Sequence, residues 1–219
     1  MNIRFHNRTE AGQRLAEQLE FYKNRKDALV LALPRGGVPV AFEIAKKLNL
    51  PLDICLVRKL GVPERPELAM GAIALGGVRI INQDVVNCWG ISPQIIEQVT
   101  QEEQQELHRR EQVYRGHKPF PTIYNQTIIL VDDGIATGSS IKAAIAILKQ
   151  QQPKKIIIAV PVAPPSVCQE LSHEVDELVC VTIPENLNSI SLWYDDFSQT
   201  SDQEVCSLLF LSCDYSLTN

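Results

Sequence analysis

Five short apolar runs punctuate the chain, at residues 28–33, 52–57, 127–131, 156–162 and 178–183, each bounded by polar or proline-containing sequence. Runs of this kind predict strands. Stretches of helical period lie between several of them. Residues 38–48 predict a helix with Pro39 in its first turn, where the missing N–H costs little. Beyond the third run, Ile141, Ala144, Ile145 and Leu148 fall at i, i+3, i+4 and i+7, and the helix is expected to begin at about Ser140. An N-terminal helix is expected over 8–22, with Ala11, Leu15, Leu19 and Tyr22 on one face. Residues 92–115 predict a longer, polar helix with Ser92 as N-cap and Pro93 in the first turn. Its apolar positions, Ile95, Ile96, Val99, Leu107 and Val113, are too sparse for a central core helix, so it suits a surface appendage, a lid or a dimer contact. Alternating strands and helices predict an α/β fold, a parallel sheet flanked by helices. Ligands bind beyond the carboxyl ends of the strands in such sheets. That rule points to the loops beginning at Pro34, Arg58, Asp132 and Pro184.

Composition narrows the class. A chain of 219 residues suffices for one sizeable domain, expected over 1–219, with a helical insertion at 85–120 and a small C-terminal hood and tail at 184–219. Hydrophobic residues make up 45% and charged residues 21%, as in soluble globular proteins. No apolar run approaches the ~20 residues that span a membrane, and the N-terminus lacks the apolar stretch of a signal peptide. The expectation is a cytoplasmic protein with no membrane partner. A formal net charge of −5 argues against a general nucleic-acid binder. The six cysteines include no C-x-x-C pair, which reads as reduced thiols and not as a disulfide framework or zinc site.

The chemistry concentrates at residues 127–141, TIILVDDGIATGSSI. An apolar strand ends in two carboxylates, a loop of small and hydroxyl residues follows, and a helix begins. Ionised Asp132 and Asp133 only accept hydrogen bonds, which suits sugar hydroxyls or a bound magnesium. Gly134 and Gly138 allow close backbone approach, while Thr137, Ser139 and Ser140 add hydroxyls. Loop amides and the helix N-terminus suit a phosphate. Taken alone, an acid–glycine turn is equally an ordinary strand end.

The full string, Ile129 to Ser140, resembles the phosphoribosyl pyrophosphate signature of the type I phosphoribosyltransferases. The resemblance covers the core, about residues 28–183. It implies that Asp132 and Asp133 hold ribose hydroxyls, directly or through Mg²⁺, and that Ala136, Thr137, Gly138, Ser139 and Ser140 hold the 5′-phosphate. The segment beginning Pro34-Arg35-Gly36-Gly37 looks like the strand–loop–helix of xanthine-guanine phosphoribosyltransferases. There the loop offers amides to pyrophosphate, often through an unusual cis peptide, so Arg35, Gly36 and Gly37 would take that place here. Val57-Arg58-Lys59 and the following residues are similar to the V-R-K segment and mobile loop of adenine phosphoribosyltransferases. Arg58 and Lys59 would then hold pyrophosphate at a strand end, and 60–76 would close over the substrate. Glu64, Arg65 and Glu67 are candidates for contacts made on closure.

The acceptor side is less legible. In 184–200, Trp193, Tyr194 and Phe197 offer flat apolar surface and Asp195 and Asp196 offer acceptors, which suits a ring-shaped base. Anchoring of the C-terminal tail by the same aromatics is the other reading. Many purine phosphoribosyltransferases carry an acid where this chain has Ala136, and Ala accepts no proton. Residues 71–77 carry no acid either, which leaves Asp195, Asp196 and Glu67 as candidates for the base. The resemblance implies transfer of a 5-phosphoribosyl group from phosphoribosyl pyrophosphate to a nitrogenous acceptor such as a nucleobase, with Mg²⁺ and release of pyrophosphate. A non-catalytic phosphoribosyl pyrophosphate sensor is the alternative, a phosphatase using the paired aspartates is disfavoured, and a homodimer is open.

Overall fold

The computed structural model describes residues 4–74, 78–116 and 118–216, without the side chains of Glu67 and of 213–216. The chain divides into two compact units, one of residues 1–55, 120–138 and 152–219, the other of 56–119 and 139–151.

In the first unit, β1 (Ala28–Ala32), β2 (Leu52–Ile54), β6 (Thr127–Val131), β7 (Lys155–Val162) and β8 (Glu177–Thr182) form a parallel sheet in the order β2-β1-β6-β7-β8. Every residue of β1 and β6 is buried. Their unbroken apolar sequence therefore reflects cover on both faces. The helices of this unit are α1 (Arg8–Gln18), α2 (Gly37–Leu48), α6 (Pro165–Ser172) and α7 (Asp202–Ser216). Asn7 caps α1 by accepting from the Glu10 amide at 3.0 Å. The N-terminal helix expected to reach Tyr22 ends at Gln18 and continues as a 3₁₀ turn over Glu20–Tyr22. The segment before α1 joins residues 193–196 of the expected hood, while α7 packs on α2 and β2. Phe5 pairs with Tyr194 as a short parallel bridge, donating to the Trp193 carbonyl at 2.8 Å. The Asp195 amide donates back to the Phe5 carbonyl at 2.9 Å.

The second unit holds an antiparallel sheet of β3 (Val57–Val62), β4 (Arg65–Ala74) and β5 (Arg79–Ile81), with α3 (Gln83–Trp89), α4 (Pro93–Tyr114) and α5 (Ser139–Gln150). Both α4 and α5 pack on β3 and β4. Ser92 caps α4, its hydroxyl accepting from the Ile95 amide at 3.4 Å. Thr100, Leu107 and Tyr114 are its buried positions, while Ile95 and Val113 are exposed.

Two expectations are corrected here. The run 52–57 is two strands in two sheets, because the chain turns away after Ile54 while Cys55 and Leu56 stay buried. The run, apolar from Ile54 to Val57, carries no local mark of such a break. Residues 60–76 were expected as a loop; as far as Ala74 they form a hairpin, since Leu60, Met70 and Ala72 are buried. Its tight turn is Pro63-Glu64, with Glu64 at φ 65°. Residues 75–77, in the stretch noted for lacking an acid, lie outside the described residues, as does the Glu67 side chain.

Candidate functional site

Adjacent parallel strands β1 and β6 end in the two motif loops. Ala32 is in register with Val131, and the Leu33 amide donates to the Val131 carbonyl at 2.8 Å. The Pro34–Arg35 peptide is cis, as the resemblance implied. The two glycines that follow sit against the acid pair. A methyl group at Gly36 would fall on the Asp133 carboxylate. One at Gly37 would lie 2.8 Å from the Val131 carbonyl oxygen and 2.9 Å from Cα of Asp132. These glycines are thus needed for the two loops to touch, in addition to any role in exposing amides.

The two acids have different surroundings. Asp133 forms an ion pair with Arg8, whose Nε and Nη2 both lie 2.8 Å from Oδ2. The backbone carbonyl of Asp133 accepts from the Tyr194 hydroxyl at 2.7 Å. Asp132 accepts the Asp133 amide at Oδ1, 2.9 Å, and no hydrogen bond reaches its Oδ2 among the described residues. Burial, followed by the neighbouring Asp133 charge, pushes the Asp132 carboxyl well above its ordinary range. Burial also raises Asp133, against the opposing charge of Arg8.

Arg8 is the residue sequence reasoning missed. It opens α1, 125 positions from Asp133, and carries no local motif. Its guanidinium stacks 4.0 Å from the Phe197 ring centroid and donates to the Ser198 carbonyl at 2.7 Å. The aromatic N-cap neighbourhood, Phe5 two residues before Asn7, was the available signal that this end of the chain packs inward.

Among the residues expected to receive a base, Tyr194 and Trp193 are corrected. Tyr194 is 1% exposed and stacks between Phe5 (5.5 Å) and Phe197 (4.9 Å), so its faces are taken by packing. Burial also raises its hydroxyl well above the ordinary tyrosine range. Trp193 joins the same cluster with Ala11 and Val162. Phe197 is half-buried under Arg8. Asp195 is exposed and pairs with Arg4 at 2.9 Å; exposed Asp196 accepts the Ser198 amide at 2.9 Å, which lowers its carboxyl.

After Asp133 the chain passes Gly134 and Ile135, whose amide donates to the Val162 carbonyl at 2.9 Å. Ala136 and Thr137 are exposed, Gly138 adopts φ 75°, and Ser139 and Ser140 form the first turn of α5. The positive φ at Gly138 is a backbone state that L side chains rarely adopt. An exposed small-residue loop entering a 12-residue helix N-terminus is chemically fit for a phosphate. Arg35 lies 3.5 Å from Asp202 at the start of α7. Arg58 and Lys59 belong to the second unit and sit inside β3, opposite Ile73 and Ala72, and not beyond a strand end. Arg58 is paired with Glu103 of α4.

The donor set is compatible with a magnesium ion. No cluster of three or more metal-ligating side chains exists among the described residues. Magnesium commonly takes only one or two carboxylates, completing its shell with water and substrate phosphates. Asp132, with an oxygen left unbonded, meets that need better than Asp133. No helix among the described residues is long and apolar enough to cross a membrane.

The phosphoribosyl transferase domain family matches residues 4–195. The Mycobacterium tuberculosis protein named "Putative phosphoribosyl transferase Rv0571c" is 41% identical over 205 residues, covering 94% of this chain and 46% of its own length. The chain therefore spans about half the length of the curated relatives it matches. The crystal structure of TT1426 from Thermus thermophilus superposes with a TM-score of 0.86 at 35% identity, covering 95% of this chain and 99% of that one. AQ2163 from Aquifex aeolicus, at 11% identity and a TM-score of 0.50, covering 83% of this chain and 76% of its own, shares the fold alone. The chain belongs to the phosphoribosyl transferase domain family.

Proposed function

We propose that this chain transfers the 5-phosphoribosyl group from phosphoribosyl pyrophosphate to a nitrogenous acceptor. The observation that carries the reading is the seating of the Gly36-Gly37 turn on the Asp132-Asp133 pair, at the carboxyl ends of adjacent parallel strands. Carboxylates for ribose hydroxyls and a loop entering a helix for the 5′-phosphate then follow one another along a single segment.

The acceptor nitrogen attacks C1 of the ribose, the C1–O bond breaks, and its electron pair leaves with pyrophosphate. The acceptor's proton leaves to a group other than Ala136, which has no acceptor atom. Asp132 accepts from the ribose hydroxyls, and the amides and hydroxyls of Ala136 to Ser140 hold the 5′-phosphate. Arg35 and the backbone of Gly36 and Gly37 hold pyrophosphate; Arg58 and Lys59 are assigned to the same group on sequence alone. Catalysis by these residues is positioning and stabilisation of the leaving group's charge. Magnesium, held through Asp132, would supply further charge neutralisation at pyrophosphate. A nucleobase is the favoured acceptor, on the resemblance of the Pro34–Gly37 and Val57–Lys59 segments to those of xanthine-guanine and adenine phosphoribosyltransferases.

Pyrophosphate release is to be measured with phosphoribosyl pyrophosphate, Mg²⁺ and a panel of purines, pyrimidines, pyridine carboxylates and amines. Release with one acceptor class supports transfer. Tight binding without release from any acceptor supports a sensor, which the engagement of Arg58 by Glu103 and of Arg35 by Asp202 also favours. A crystal soaked with phosphoribosyl pyrophosphate should show the 5′-phosphate at residues 136–140, and density elsewhere would refute the assignment.

A further inference from the structure

The paired acids are chemically alike but held unlike. Asp133 is fixed from three directions: Arg8 donates from Nε to its Oδ2, with Nη2 at ion-pair distance from the same oxygen, Gly36 packs against its carboxylate, and Tyr194 holds its backbone carbonyl. Arg8 is itself immobilised. Its side chain is 11% exposed, stacked on Phe197 and bonded to the Ser198 carbonyl. A ligand that drew Asp133 away would leave a largely buried guanidinium without its counter-charge, a costly state. Asp132 has no such tie at Oδ2 among the described residues.

We propose that Arg8 is a positioning residue that divides the acid pair. It holds Asp133 as a fixed carboxylate against the Gly36 turn and leaves Asp132 as the carboxylate that meets the ribose. This inference rests on the phosphoribosyl pyrophosphate reading. Arg8 acts chiefly through Asp133, to which it is hydrogen-bonded, so its effect on the ligand is indirect: loss of Arg8 frees Asp133 to repel Asp132 and to shift the loop beneath the sugar. Lysine keeps the charge but neither donates in two directions from a planar fork nor stacks as guanidinium does, so it restores only part of the effect.

The test measures binding of phosphoribosyl pyrophosphate with Mg²⁺ by titration calorimetry, and melting without ligand, for the wild type, Arg8→Met, Arg8→Lys, Asp132→Asn, Asp133→Asn and the double variant Arg8→Met with Asp133→Asn. Arg8→Met should weaken binding roughly 10- to 100-fold, the scale of one charge-assisted hydrogen bond, with Arg8→Lys between it and wild type. Asp132→Asn should cost more binding than Asp133→Asn. The double variant should bind no more weakly than Asp133→Asn alone. In melting, Arg8→Met should cost much less in the Asp133→Asn background than in the wild type, and the full amount in Asp132→Asn.

Equal or greater damage from Asp133→Asn than from Asp132→Asn overturns the division. So does a further loss of binding on adding Arg8→Met to Asp133→Asn. A wild type that binds no phosphoribosyl pyrophosphate overturns the functional reading and the ligand role of Asp132 with it. The melting comparison then still decides whether Arg8 acts through Asp133.

Discussion

At the scale of single residues, the candidate site depends on side chains that are absent as much as on those present. Gly36 exists where it does because the Asp133 carboxylate occupies the space a methyl group would fill. Gly36→Ala is expected to destabilise the fold by about 1–3 kcal/mol, the usual cost of overpacking, readable as a lower urea midpoint. Asp132 carries the opposite liability. Its raised carboxyl means that the folded protein favours the protonated form. The corresponding stability is present below the unfolded value and is lost as pH rises through the folded one. Asp132→Asn removes that loss, so the variant should melt above wild type at pH 7.5, with the gap closing in acid. Equal pH dependence in the two proteins would contradict the burial argument. A residue that weakens the fold at working pH is what a functional carboxylate looks like in thermodynamic terms. The motif residues Asp132, Asp133, Gly36 and Gly37 were readable because their spacing is local. Arg8 was not, because the contact it makes spans 125 positions.

At the scale of elements, the polar helix α4 shows how far pattern reading reaches. Its extent, cap and amphipathic weakness were predicted from 92–115 and hold for Pro93–Tyr114. Its partner was not predicted. It packs on the β3–β4 hairpin, to which the Arg58–Glu103 pair ties it, and Leu107 is 1% exposed. Leu107→Ala should cost about 2–5 kcal/mol in chemical denaturation, whereas Val113→Ala, at an exposed position, should cost little. The hairpin escaped notice because Pro63, Pro66 and the charges between them read as loop, although they are its turn and the start of β4. The later part of β4 is buried without alternation at Ala72, Ile73 and Ala74, so it carries no period-2 signal. In the hood the sequence left two readings of Trp193 and Tyr194, a surface for a base or an anchor for the C-terminal tail; they are an anchor, and the segment they hold is residues 4–8.

At the scale of the whole chain, the functional proposal makes a prediction independent of the acceptor. A ligand that binds only the folded form stabilises it by mass action. Phosphoribosyl pyrophosphate with Mg²⁺ at about 100 times its dissociation constant should raise the unfolding free energy by about 2.7 kcal/mol, seen as an upward shift in Tm. No shift at any concentration would remove the basis for both the transferase and the sensor readings. The sequence by itself determined the α/β class, the five strands of the parallel sheet and the two motif loops. Each of these is written in contiguous residues, as an apolar run, a helical period or a glycine-acid string. Tertiary structure alone decided that 52–57 divides between two sheets, that the N-terminal segment completes the hood, and that Arg8 pairs with Asp133. The physical reason is the same throughout. Periodicity reports whether a side chain is buried, and local spacing reports which groups share a turn. Neither reports which distant segment supplies the covering surface or the opposite charge.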